Sequence, residues 1–115
     1  MMTERERRRL EEERERLVTA LRGLGNLMRG TMVDVAVRCG RPRCGCATGA
    51  KHPRRHLSVT LEGRTRTLYL GPARESWLRP LLAEYQRAWV LINGLTAVNL
   101  ALAGGVPARR RERRR

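Results

Sequence analysis

The spacing of apolar residues changes along the chain, and each change marks an element. Leu10, Leu17, Leu21, Leu24 and Met28 recur in steps of three, four or seven, with Arg14 in the missing slot. That is a helical seam of about three heptads. Ahead of it, Thr3-Glu4-Arg5-Glu6 has the form of a capping box, in which the Thr3 hydroxyl accepts from the Glu6 amide and the Glu6 carboxylate accepts from the Thr3 amide. A helix is expected over residues 4–28, its first half laced by i,i+4 pairs such as Glu4–Arg8, Arg7–Glu11 and Glu12–Arg16. The seam suits either last turns packed on the protein's own core or a coiled coil with another chain; the first is preferred.

Residues 32–38 are β-branched and partly alternating, and predict a first strand. Residues 56–61 and 64–70 alternate around Glu62-Gly63 and predict a hairpin, Leu57, Val59 and Leu61 meeting Leu68 and Leu70. Arg64 and Arg66 share one face of their strand. Pro72 suits the first turn of a long helix expected over 72–103, which Gly104-Gly105 stops. Trp77, Leu78, Leu81, Leu82, Tyr85, Trp89 and Ile92 form a broad stripe assigned to the main core. No charge stands between Arg87 and Arg109, a span long enough for a bilayer. Asn93, Thr96 and Asn99 nevertheless recur every third residue opposite Leu91, Leu95, Val98 and Leu102. This reads as a helix in a protein contact, so a membrane partner is not expected.

Together these elements predict an α+β fold: a charged N-terminal helix, a small three-stranded antiparallel sheet and a long C-terminal helix. By region, the expectation is the charged helix over 1–28, a metal loop with the hairpin over 29–71, the long helix over 72–105 and a disordered arginine-rich tail over 106–115. Residues 28–105 are expected to form one compact domain, since 115 residues leave no room for a second core.

Composition sharpens this. There is no Phe and only two Trp and two Tyr, so Leu, Val and Ala must fill the core. So small a chain commonly needs a metal or a partner as a staple. The net charge is +14, with Lys51 the only lysine. Seven Arg balance six Glu over residues 1–28, whereas nine cations face only Asp34 and Glu62 over 29–69, and six Arg face Glu112 over 109–115. Such blocks point to a polyanion, nucleic acid before an anionic membrane. No apolar leader follows the first methionines, and clustered cysteines are unlike a secreted disulfide framework, so the cytoplasm is expected.

The cysteines carry the sharpest chemistry. Residues 39–52 read CGRPRCGCATGAKH, spaced Cys-x4-Cys-x-Cys-x5-His. Zinc takes four ligands in a tetrahedron, usually thiolate and imidazole, and Gly40, Pro42, Gly45 and Gly49 allow the bends this requires. Arg38, Arg41 and Arg43 favour thiolates. Inert core thiols, a Cys44–Cys46 redox pair and an iron–sulfur cluster compete with this reading; a structural zinc on Cys39, Cys44, Cys46 and His52 is preferred, with His56 the alternate fourth ligand. No catalytic set accompanies it: the carboxylates crowd the first helix, the serines lack a neighbouring base, and no Walker loop or dinucleotide fingerprint is present. A non-catalytic protein is expected.

Met28 to Val33, CGRPRCGCA at Cys39–Ala47, His52-Pro53, GRTRTLYL at Gly63–Leu70 and the Trp-containing helix come in the order of an uncharacterised bacterial and phage family. That family, a domain of unknown function, has the pattern CGxPxCxCA, then His-Gly-Pro, then G-x-TRxxY and a helix. The chain resembles it over about residues 28–103. The resemblance implies that Cys39, Cys44, Cys46 and His52 are the matched ligand positions and that relatives occur in phages and mobile elements. The chain departs from the pattern in having Pro53-Arg54 for Gly-Pro, and Arg55-His56 where aromatic residues usually follow.

Arg38, Arg41, Arg43, Lys51, Arg54, Arg55, Arg64 and Arg66, with Arg109, Arg110 and Arg111 of the tail, are expected to meet DNA or RNA mainly through phosphates. The alternative is a homodimer or larger assembly built on the two helices, without direct nucleic-acid contact.

Overall fold

The computed structural model describes residues 2–105. Its elements are α1 (Glu4–Arg22), β1 (Thr31–Val37), a short 3₁₀ helix (Gly45–Ala47), β2 (His52–Leu61), β3 (Arg64–Tyr69) and α2 (Pro72–Leu102). The strands form one antiparallel sheet in the order β1-β2-β3, so the fold is α+β. The tail beyond residue 105, with Arg109, Arg110 and Arg111, lies outside the described residues. The described residues divide into two compact units, one combining residues 2–26 with residues 84–105, the other comprising Leu27–Ala83.

In the first unit, α1 opens with the capping box that Thr3 and Glu6 predict, both hydrogen bonds being made. It ends at Arg22, earlier than expected. Gly23, Gly25 and Asn26 all have poor helix propensity, and the Gly23 amide closes the helix on the carbonyls of Thr19 and Ala20. The Gly25 amide then donates to Glu84 Oε2 at 2.7 Å. The expected i,i+4 pairs do not close; Glu13–Arg16 and Arg14–Glu15 are the ion pairs on α1, and the other charges are solvated. Leu17 of the seam lies against α2 where Gly94 has no side chain, while no residue of α1 is buried. Ala88 and Val98 are buried while Asn93, Thr96 and Asn99 are exposed, as the polar stripe requires. No helix among the described residues is long and apolar enough to cross a membrane.

The second unit holds the sheet, the cysteine loop and the first turns of α2. Leu57, Leu70 and Leu78 are buried together, with Met28, Met32, Val59, Leu81 and Leu82 packed around them. The apolar stripe of α2 is narrower than predicted. Leu78, Leu81, Leu82, Tyr85 and Ala88 follow helical spacing on one face, whereas Trp77 (66% exposed), Trp89 (45%) and Ile92 (45%) lie round the side.

β2 begins at His52 rather than at residue 56, because Val37, Ala36 and Val35 pair with His52, Pro53 and Arg54 and extend the ladder through residues that no hydrophobic alternation marks. The hairpin turn is as expected, with Glu62 at φ 52° and Gly63 at φ 77°, the signs a type I′ turn needs. Directly paired residues share a face of a sheet. Met32, Leu57 and Leu68 therefore lie on the side of the Leu57 cluster, and Val33, His56 and Tyr69 on the other.

Candidate metal centre

The cysteine loop leaves β1 after Val37 and returns at His52, and these two residues are strand partners, so the ladder closes its base. Inside it, Gly40 takes φ 78°, a left-handed turn that a side chain would strain. The Cys44 amide donates to the Arg41 carbonyl at 3.1 Å. The Ala47, Thr48 and Gly49 amides then turn back on the carbonyls of Cys44 and Gly45. These two tight turns aim three sulfurs inward.

Cys39, Cys44, Cys46 and His52 each offer one donor atom, and the four atoms lie within 4.8 Å of one another. Cys44 Sγ is 3.0 Å from His52 Nε2, and Cys46 Sγ is 3.5 Å from Cys39 Sγ. A tetrahedral zinc with its usual bond lengths has ligand–ligand edges of roughly 3.5–3.8 Å. The cluster is thus already near the size of a four-ligand ion site. All three cysteines are free thiols, Cys46 buried, Cys44 half-buried and Cys39 exposed. A disulfide does not account for their meeting.

His52 joins the sulfurs as the first residue of a strand, not as a loop residue. His56, the alternate ligand, stands four residues further along β2 with its ring edge-on to Tyr69, centroids 6.2 Å apart. The structure brings His52 to the cluster and not His56.

The thiols are electrostatically unequal. The Arg41 backbone and then the Cys46 sulfur hydrogen-bond to Cys39 and bring it down from 9.0 to about 6. At Cys46 the Cys39 amide favours the thiolate, donating to its sulfur over 3.3 Å from nitrogen to sulfur. Burial and the neighbouring Cys44 and Cys39 sulfurs outweigh it and push the Cys46 thiol up. Such a set gathers negative charge that a cation would relieve.

The arginines divide into two groups. Arg41, Arg43 and Arg54 line an open depression of about 510 Å³ together with Cys39, Cys44 and His52. Arg38 donates to the Cys46 carbonyl, and Lys51 is exposed just before His52. Arg55, by contrast, lies on the other face of the sheet, bonded to Asp34 at 2.7 Å and to Glu75 at 2.9 Å. Asp34 and then Glu75 hold its guanidinium above the ordinary arginine pKa. Glu75 also binds Arg79, and this hydrogen bond, opposed by burial and aided by Arg55, lowers its carboxyl pKa. Arg64 and Arg66, paired across β2–β3 with Leu61 and Val59, share that second face and are exposed. The expected single patch is two, and the Arg55 charge is compensated. Tyr69, half exposed beside His56, was not among the expected site residues; its place opposite His56 follows from the hairpin register alone.

One family, described as Domain of unknown function (DUF6788), matches residues 3–80, which take in α1, the sheet, the cysteine loop and the first turns of α2. No curated protein and no solved structure matches the chain.

Proposed function

This chain belongs to the DUF6788 family, and we propose that it is a small, zinc-stabilised, non-catalytic protein that binds nucleic acid as an accessory factor of a phage or mobile element. Three thiols and an imidazole suit zinc, and four protein ligands leave the ion no open position for water or substrate. Its role is to fix the loop. The phage or mobile-element setting rests on the resemblance carried by CGRPRCGCA and His52-Pro53.

The observation that carries the nucleic-acid reading is the depression where Arg41, Arg43 and Arg54 stand beside the ligand set. No carboxylate occurs in the sequence from Val35 to Leu61, so these cations have no local competitor for a phosphate. The contacts are with phosphates and carry little sequence information. Binding of the zinc-loaded chain to a random-sequence oligonucleotide, followed against salt, tests it. Affinity is expected to fall linearly on a log–log plot, and deletion of residues 109–115 to flatten the slope. Binding indifferent to salt overturns the reading.

A second reading, assembly through α2, is favoured by the exposure of Trp89, Val90, Ile92 and Leu100 on a stretch without charge. Light scattering in high salt separates the two. A dimer that persists without nucleic acid supports assembly, and a monomer counts against it.

A further inference from the structure

We propose that the outer face of the sheet is a platform for single-stranded nucleic acid, on which Tyr69 and His56 stack a base and Arg54 meets an adjoining phosphate. The proposal rests on the nucleic-acid reading above and narrows it to a substrate class and a surface.

Strand register builds this face. Val33 pairs with His56 and His56 with Tyr69, so the three side chains form one row across the sheet, opposite to the side of the Leu57 cluster. That row is open: Tyr69 is 50% exposed and Val33 38%. The His56 and Tyr69 rings meet edge-on at 75°, an arrangement that leaves ring surface free for a third ring. Along β2, His52, Arg54 and His56 occupy alternate positions and share the face, about 6.6 Å apart in turn. The order along the strand is therefore metal ligand, cation, aromatic pair.

Charge separates this face from its reverse. Asp34, the only carboxylate within the strands, pairs with Arg55 on the reverse side, where Glu75 and Arg79 complete the network. Arg54 has no carboxylate partner among the described residues; its Nη1 donates only to the neighbouring Pro53 carbonyl at 2.9 Å. A cation beside the exposed Tyr69 ring and the half-buried His56 ring, on a face without acids, is complementary to a chain that alternates phosphate and base. In a duplex the bases stack on each other and offer no ring surface. In a single strand they do, and base–aromatic stacking tolerates any sequence.

The test uses the zinc-loaded full chain, a labelled single strand and the duplex of the same sequence, titrated by fluorescence anisotropy at several salt concentrations. The single strand is expected to bind more tightly. Tyr69→Ala should weaken it about 5- to 100-fold with the salt slope unchanged, because a base stack is lost and no charge is. Tyr69→Phe should bind like the parent chain, and Arg54→Ala should lower the slope by about one phosphate. Circular dichroism and metal content verify that each variant folds. Independently of any variant, photocrosslinking of a 5-bromouracil-containing strand to the parent chain should label Tyr69 or His56. Equal affinity for duplex and single strand, unchanged binding by Tyr69→Ala, or crosslinks confined to the helices would overturn the platform while leaving salt-dependent binding intact. Absence of salt-dependent binding to either probe would remove both.

Discussion

Residues 38–51 and the cluster around Leu57 belong to the same unit, yet they hold their shape by different means. The loop contains no apolar side chain larger than Ala apart from its proline and cysteines, and Cys46 is its only buried residue. Ordering backbone costs about 1–2 kcal/mol per residue, and such a loop has almost no apolar burial to offset it. Leu57, Leu70 and Leu78 meet that cost by leaving water. The difference teaches that packing alone accounts for the cluster around Leu57 but not for the loop, for which the proposed metal would supply what burial does not.

The largest effect should come from the donors. Purified protein is expected to carry one zinc per chain, and structural zinc sites are worth on the order of 10 kcal/mol in apparent binding free energy. Cys46→Ser or a chelator should abolish metal content and expose the Cys44, Ala47 and Gly49 amides to hydrogen exchange. The Leu57 and Leu70 amides should stay protected. Simultaneous loss of both sets would break the distinction between loop and cluster.

The reverse experiment is Leu57→Ala, expected to cost about 2–5 kcal/mol in denaturant unfolding of the zinc-loaded chain, with metal stoichiometry unchanged. Gly30→Ala should cost less, about 1–3 kcal/mol. A Cβ there would lie 2.8 Å from Leu57 Cδ1 and 3.1 Å from Val59 Cγ2, and Leu57 is too buried to yield.

Smaller still is the acid response of the Arg55–Glu75–Arg79 network. The Glu75 carboxyl is lowered from 4.5, first by its hydrogen bond from Arg79. A depressed carboxylate contributes stability above its unfolded pKa and loses it as pH falls through the folded value. Melting temperature should accordingly drop below about pH 4.5 in the parent chain and less so in Glu75→Gln. The least invasive probe is alkylation of the metal-free protein. Cys39, exposed and with a pKa of about 6, should react at neutral pH well before Cys46, which is buried and raised. Mass spectrometry of the modified peptides reads the order.

Local signals in the sequence served well where one short segment decides the outcome. The Thr3–Glu6 capping box, the Glu62-Gly63 turn and the convergence of Cys39, Cys44, Cys46 and His52 are all visible as spacing, because each depends on neighbours in the chain. What spacing missed depends on pairing across distance. Adjacent Arg54 and Arg55 look alike in sequence, but β1–β2 register sends one to the metal side and the other to Asp34 and Glu75. Trp77 and Trp89 fall within the broad apolar stripe that the sequence assigns to the core, whereas one helical step from Leu78 and Ala88 turns each toward solvent. The early end of α1 lay in the glycines after Arg22, which the heptad pattern ran across.

The position of His52 at the first rung of β2, opposite Val37, carries one more consequence. Side chains alternate along a strand, so sliding β2 by a single residue would swing this imidazole to the far side of the sheet, away from the sulfurs. Ligation of a metal by His52 and the sulfurs would thus be coupled to strand alignment. A metal held by these four donors would act as a gauge that admits only one alignment of the two strands, and the same alignment sets which arginine faces which side.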